Sequence, residues 1–101
     1  MANRLNLHNT LVKILGSKNV YYDPPGSVQM NYPAIRYSRK KIENTFAGNS
    51  VYKQDNCYEI TVIYDDPDSE IPTAISVLPM CSHDRHYKAD NLYHDVFTLY
   101  H

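Results

Sequence analysis

The chain has 101 residues, enough for one small hydrophobic core and too short for a second, which predicts a single domain over 1–101. Ten Lys and Arg stand against eleven Asp and Glu for a formal net charge of -1, so no whole-molecule field draws the protein onto nucleic acid or an anionic membrane, and any such contact has to be local. The 2 cysteines, Cys57 and Cys81, lie far apart without a CxxC spacing for zinc or redox chemistry and are expected as small core hydrophobes.

Met1-Ala2-Asn3-Arg4 opens without an apolar run suited to a signal peptide, and no stretch approaches the roughly 18 residues of a membrane span, so the expectation is a chain that is cytosolic when made. Asn3 is placed to cap a first helix in which Leu7, Leu11, Ile14 and Leu15 share one stripe, with Gly16 as its left-handed C-terminal residue. Val20-Tyr21-Tyr22 is a brief extended piece before Asp23-Pro24-Pro25-Gly26, where regular structure is forbidden. Val28 to Ser38 extends again, and Pro33, which cannot donate to a ladder, places that strand at an edge, at a bulge, or with its start near the proline.

Residues 39 to 56 are polar, with a basic cluster at Arg39-Lys40-Lys41, an apolar island at Ile42, Phe46 and Ala47, and a turn signal at Gly48-Asn49-Ser50. This segment is expected as a long excursion between two antiparallel strands, a length that is usually functional or mobile. Tyr58 to Tyr64 is dense in β-branched and aromatic residues, and Asp65-Asp66-Pro67-Asp68-Ser69 then stops the strand. Ser69 is the expected N-cap of a second helix with Pro72 in its first turn, an apolar stripe of Ile71, Ile75 and Leu78, and an end enforced by Pro79. Cys81 to Tyr87 and Leu92 to Tyr100 flank the turn-like Lys88-Ala89-Asp90-Asn91 as a closing hairpin. The predicted fold is α+β in the order α-β-β-α-β-β: a mainly antiparallel sheet with two helices packed on one face and a long excursion between the first two strands.

Four clusters carry side chains of chemical interest. Asp65, Asp66, Asp68 and Glu70 offer oxygen ligands for calcium or magnesium, yet the spacing lacks the later glutamate and the glycine of an EF-hand, and a strand-to-helix corner is the more economical account. Cys81, His83 and His86 are zinc-ligand types, but on a regular strand 81 and 83 point to one face and 86 to the other. Ser82, His94 and Asp95 supply the residue types of a hydrolytic triad without any nucleophile-elbow pattern around them. Arg39-Lys40-Lys41 with Tyr37 and Phe46 nearby suits phosphate contacts and base stacking, or a solvated loop or protein contact. No catalytic residue, cofactor site or metal site is expected, and no enzyme.

Several phrases together resemble a known family. Tyr21-Tyr22-Asp23-Pro24-Pro25, Met30-Asn31-Tyr32-Pro33-Ala34-Ile35-Arg36-Tyr37, Tyr58-Glu59-Ile60-Thr61-Val62 with Asp66-Pro67-Asp68-Ser69-Glu70-Ile71-Pro72, and Asp90 to Tyr100 resemble the small neck and tail proteins of long-tailed bacteriophages. The nearest kind is the tail terminator, also called tail completion or minor tail protein. The resemblance implies a virion protein assembled in the host cytoplasm. It would form a ring, commonly a hexamer, that sits on the last ring of the tail tube protein, stops its growth and presents a surface to the head-side connector. DNA would pass through the opening without sequence recognition, with no membrane contact and no cofactor. A different neck component, such as a head-side adaptor, or a nucleic-acid or peptide-binding α+β module, is the alternative. Closing a ring takes two complementary patches on each subunit. The expected subunit or tail-tube contacts are therefore Arg39, Lys40 and Lys41 with Phe46 as an apolar anchor, against Asp65, Asp66, Asp68 and Glu70; the acidic run lining the lumen is the competing placement.

Overall fold

The computed structural model describes residues 4–26 and 29–101, and of residues 51–53 the backbone alone. The cap expected at Asn3 and the extended start expected at Val28 lie outside the described residues. In chain order the elements are α1 (Arg4–Leu15), β1 (Val20–Tyr22), β2 (Ala34–Ala47), β3 (Ser50–Tyr64), α2 (Ile71–Ser76), β4 (Cys81–Ala89) and β5 (Leu92–Tyr100). The strands make one five-stranded mixed sheet in the order β1-β2-β3-β5-β4. The α+β class expected from the sequence is observed. Its element order gains a strand, because Val20, Tyr21 and Tyr22 pair in parallel with Ile35, Arg36 and Tyr37. The other three pairings are antiparallel.

Helix α1 forms because Leu7 and Leu11, one turn apart, can be buried together, while Val12, Ile14 and Leu15 pack partly covered around them. Gly16 ends it with φ 77, and its N–H donates to the Val12 carbonyl at 2.9 Å. Helix α2 is a turn and a half that buries Ile75 fully and packs Ile71 and Leu78 partly on the same core. Glu70, not Ser69, holds its N-cap position; the Ser69 hydroxyl accepts instead from the Ile71 N–H at 3.3 Å. The helix stops at Ser76, and Pro79 lies beyond its end.

Alternation along β3 builds the core. Tyr58, Ile60, Val62 and Tyr64 join Ile35 and Tyr37 of β2, Phe97 and Leu99 of β5, and Leu7, Leu11 and Ile75 of the two helices in one cluster. Both helices therefore cover one face. Tyr37 sits at its centre, with its ring against Tyr22 and Tyr58 and its hydroxyl 2.8 Å from His8 Nδ1 and 3.3 Å from the Arg4 guanidinium. The hairpin of β4 and β5 turns through Asp90 and Asn91 at φ 54 and 62, the left-handed pair that a type I′ turn requires.

The expected excursion between 39 and 56 is the main correction. Those residues are the two strands themselves, paired from Ala34↔Ile63 to Ala47↔Ser50 with Gly48-Asn49 as the whole connection and Gly48 at φ 65. They form an arm that runs past the rest of the sheet and gives the molecule its 50 × 25 × 23 Å outline. Pairing with β5 covers β3 from Cys57 onward, so residues 50–56 add roughly 20 Å of ribbon at about 3.3 Å per residue. A bulge at Lys40, between the pairs Arg39↔Tyr58 and Lys41↔Cys57, shifts the alternation. Ile42, Asn44 and Phe46 thereby come onto the face that carries the helices farther along, and Lys41, Glu43 and Thr45 onto the other.

Candidate functional site

The most elaborate polar constellation was not foreseen as a unit, and it centres on Asp95. This side chain, 5% exposed, lies on the helix-bearing face opposite Val62 and His86. The Tyr64 hydroxyl donates to Asp95 Oδ2 at 2.5 Å, while His83 Nε2 and His86 Nδ1 both reach Oδ1, at 2.8 and 2.9 Å. Each ring donates when His83 carries its proton on Nε2 and His86 on Nδ1, so two neutral imidazoles suffice. A bulge at Asp84 makes this possible. His83 pairs opposite Phe97 and Arg85 opposite Val96, so the extra residue turns His86 back onto the face of His83. Strict alternation placed these two histidines on opposite faces, and the structure overturns that expectation. The network extends into stacked rings, His86 on Tyr93 and Tyr93 on Tyr64, with His83 edge-on to Phe97.

Burial works against the charged form of Asp95, but hydrogen bonds from Tyr64, His83 and His86 together outweigh it and hold its pKa below the ordinary carboxylate range. Burial first, and then the hydrogen bond to Asp95, keep the Tyr64 hydroxyl protonated far above its usual range. Such a carboxylate is a fixed acceptor at neutral pH and locks β3, β4 and β5 together at one end of the sheet. Cys81 does not join His83 and His86: it packs against the core, and burial pushes its thiol pKa up. Among the described residues no three His, Cys, Asp or Glu side chains are grouped so as to hold a metal ion. Ser82, His94 and Asp95 are not brought together either. His94 turns to the opposite face from Asp95, stacks on Tyr87 at 4.7 Å and approaches the Leu92 carbonyl at 3.1 Å.

The expected contact residues fall in two places. Arg39, Lys40 and Lys41 lie at the root of the arm, all exposed, with Lys41 bound to Glu43 at 2.7 Å, a contact that raises the lysine pKa. Farther along, Ile42 and Phe46 are 46% and 63% exposed, apolar side chains in a ribbon with no core of its own. Asp65, Asp66, Asp68 and Glu70 form an exposed corner between β3 and α2, where Asp66 Oδ1 accepts the Asp68 N–H at 2.9 Å. Within one chain the basic and acidic groups stay apart, since β3 carries them from the level of Tyr58 to Asp65, roughly 20 Å at about 3.3 Å per residue.

Cys57 is buried and Cys81 half-buried, and neither is in a disulfide. Among the described residues no helix is long and apolar enough to cross a membrane. Comparison with protein-family models, with curated proteins and with solved structures returned no match.

Proposed function

We propose that this protein is a structural component of a long-tailed bacteriophage virion, a tail terminator that closes as a ring on the tail tube and offers a new surface to the head-side connector. It acts by shape and assembly rather than by catalysis, and DNA passes through the ring without being read. The observation that supports this reading is the arm. A two-stranded ribbon is marginal in water when it stands alone, and this one holds Ile42 and Phe46 exposed on one face beyond the reach of the helices. A neighbouring subunit or the tube below would cover that face, and the arm's length would carry the contact well outside the domain's own core.

Mass measurement across concentration, with and without isolated tail tubes, tests the proposal. Rings of defined stoichiometry, or tubes whose length distribution sharpens when the protein is present during polymerisation, support it. A chain that stays monomeric under both conditions and leaves tube growth unchanged refutes it. A head-side adaptor would form rings but leave tube length untouched. The nucleic-acid-binding alternative draws on the exposed Arg39 and Lys40, and retention of DNA that falls steeply with salt would favour it.

A further inference from the structure

The face of the sheet without helices carries a concavity that the contacts expected from sequence did not include. Paired residues place Arg36 of β2, Thr61 of β3, Val96 of β5 and Arg85 of β4 in one row across the sheet. Three strand intervals at about 4.8 Å put the two arginine backbones roughly 14 Å apart. Between them lies a cavity of about 320 Å³, closed at one end by the stacked rings of Tyr87 and His94 and at the other by Ser38 and Glu59. No element covers this face, yet Ile63 in the lining is 4% exposed and Val96 in the row is 2% exposed, both covered by the side chains around them. Glu59 is the one acidic group in the lining against two arginines. Asp84, the carboxylate next to Arg85 on β4, is bound by the Thr98 hydroxyl at 2.6 Å and does not line the cavity. Among the described residues neither arginine has an ion-pair partner; Arg85 only lies over the Tyr87 ring at 5.7 Å.

The same chain carries the complement. Asp65, Asp66, Asp68 and Glu70 place four carboxylates within six residues on a convex, exposed turn with Pro67 among them, and among the described residues none of the four has an ion-pair partner. The corner cannot fill its own groove. It leaves β3 toward the helix-bearing face, where Ile71 and Ile75 fix the next element in the core.

We infer that the acidic corner of one copy seats in the arginine-flanked groove of the next. The inference rests on the ring reading and replaces the expected partner of the corner: Arg36 and Arg85 take the place of Arg39, Lys40 and Lys41, one of which is already engaged by Glu43. Groove and corner are different patches, so the contact is heterologous, the kind that closes rings. The arginines meet carboxylates at the rim, and Pro67, with its φ fixed, holds the inserted turn in shape.

The test uses the full chain in sedimentation velocity across concentration. Wild-type association should weaken as salt rises from about 0.1 to about 1 M, which shortens the screening length from about 10 Å to about 3 Å. R36E with R85E should weaken association by about tenfold or more, because like charges then face each other across the contact. D65K with D68K should do the same, and both variants should keep the wild-type circular dichroism and melting midpoint. The two variants mixed together, and the quadruple variant alone, should associate again. If wild type assembles and either double variant assembles equally well, or if the quadruple variant is not restored, the groove contact is wrong while the ring reading stands. If wild type remains monomeric both alone and on tail tubes, both fall.

Discussion

Tyr64→Phe removes a single oxygen and leaves the ring stack on Tyr93 in place, so it isolates the buried bond to Asp95. The lost bond is a short one, 2.5 Å, to a carboxylate that is 5% exposed, and hydrogen bonds to charged groups contribute about 1.5–3 kcal/mol net. The two histidines cannot compensate. Their side chains are 43% and 50% exposed, so solvent screens their share, and both reach Oδ1, leaving Oδ2 without a donor among the described residues once the hydroxyl is gone. The expected loss is about 2–3 kcal/mol, which for a domain of this size lowers the melting midpoint by about 10–20 °C. Urea unfolding at pH 7 followed by far-ultraviolet circular dichroism measures it, with the midpoint falling at unchanged slope. In an Asp95→Asn background the same substitution should cost much less, as interacting neighbours do in a double-mutant cycle. The high alkaline pH arm has a definite sign. The folded-state pKa of Tyr64 lies above its ordinary value of 10.0, so the hydroxyl's contribution is complete below about 10 and is lost as pH rises toward the folded pKa, narrowing the gap between wild type and Tyr64→Phe. A loss under about 0.5 kcal/mol at pH 7, or equal losses in the two backgrounds, would refute the account of this network.

The acid side mirrors this: Asp95 has a folded-state pKa below its ordinary 3.8, so its contribution is complete above that value and disappears as pH falls through the folded pKa. Asp95→Asn should therefore flatten the acid limb of a stability-against-pH profile below about pH 4, and an unchanged limb would count against it. Leu11→Ala empties a site that is 0% exposed between α1 and the sheet and should cost about 2–5 kcal/mol in urea unfolding. Gly16→Ala meets nothing within 4 Å but must hold φ 77, so it should lose about 1 kcal/mol through backbone strain alone, visible as a small drop in melting midpoint. Phe46→Ser, at a side chain 63% exposed, should leave the stability of the monomer within about 0.5 kcal/mol of wild type and weaken ring formation or tube capping, measured by mass and by tube length.

Where a residue's neighbours lie close in sequence, or where one face is buried, the fold was legible. The stripe of Leu7 and Leu11, the stop at Gly16, the strand from Tyr58 to Tyr64 and the Asp90-Asn91 hairpin all follow from local chemistry or from alternation with one dry side. The arm was not legible, because both faces of residues 40–47 meet solvent and a strand with no buried side shows no alternation to read. The parallel pairing of Val20 to Tyr22 was hidden for another reason: three residues carry too little pattern, and their partner lies beyond a proline-rich connection. The acidic corner was correctly read as a turn and helix approach, since Asp66 and Ser69 spend their oxygens on backbone N–H groups. The Asp95 network escaped because it depends on one unpaired residue. With regular alternation His86 faces away from His83; the bulge at Asp84 reverses that, and nothing in the local sequence marks Asp84 as the residue that slips.

Bulges in β4 and β2 thus decide which side chains can meet, the first beside the core and the second at the root of the arm. At Asp84 the extra residue gathers two histidines onto a buried carboxylate and closes the end where β3, β4 and β5 are held together. At Lys40 it turns Ile42 and Phe46 onto the helix-bearing face of a ribbon that has left the helices behind. Without that shift Lys41 and Glu43 would point to the helix side, and the apolar pair would continue the bare face instead. A bulge also spoils the flat edge along which strands of different molecules pair indiscriminately. The outer edge of β2 beyond its three pairs with β1, and the outer edge of β4, each contain one. Edges blunted in this way disfavour backbone ladders between molecules, so the association proposed for this chain would rest on side-chain contacts, the kind whose stoichiometry can be fixed by charge and shape.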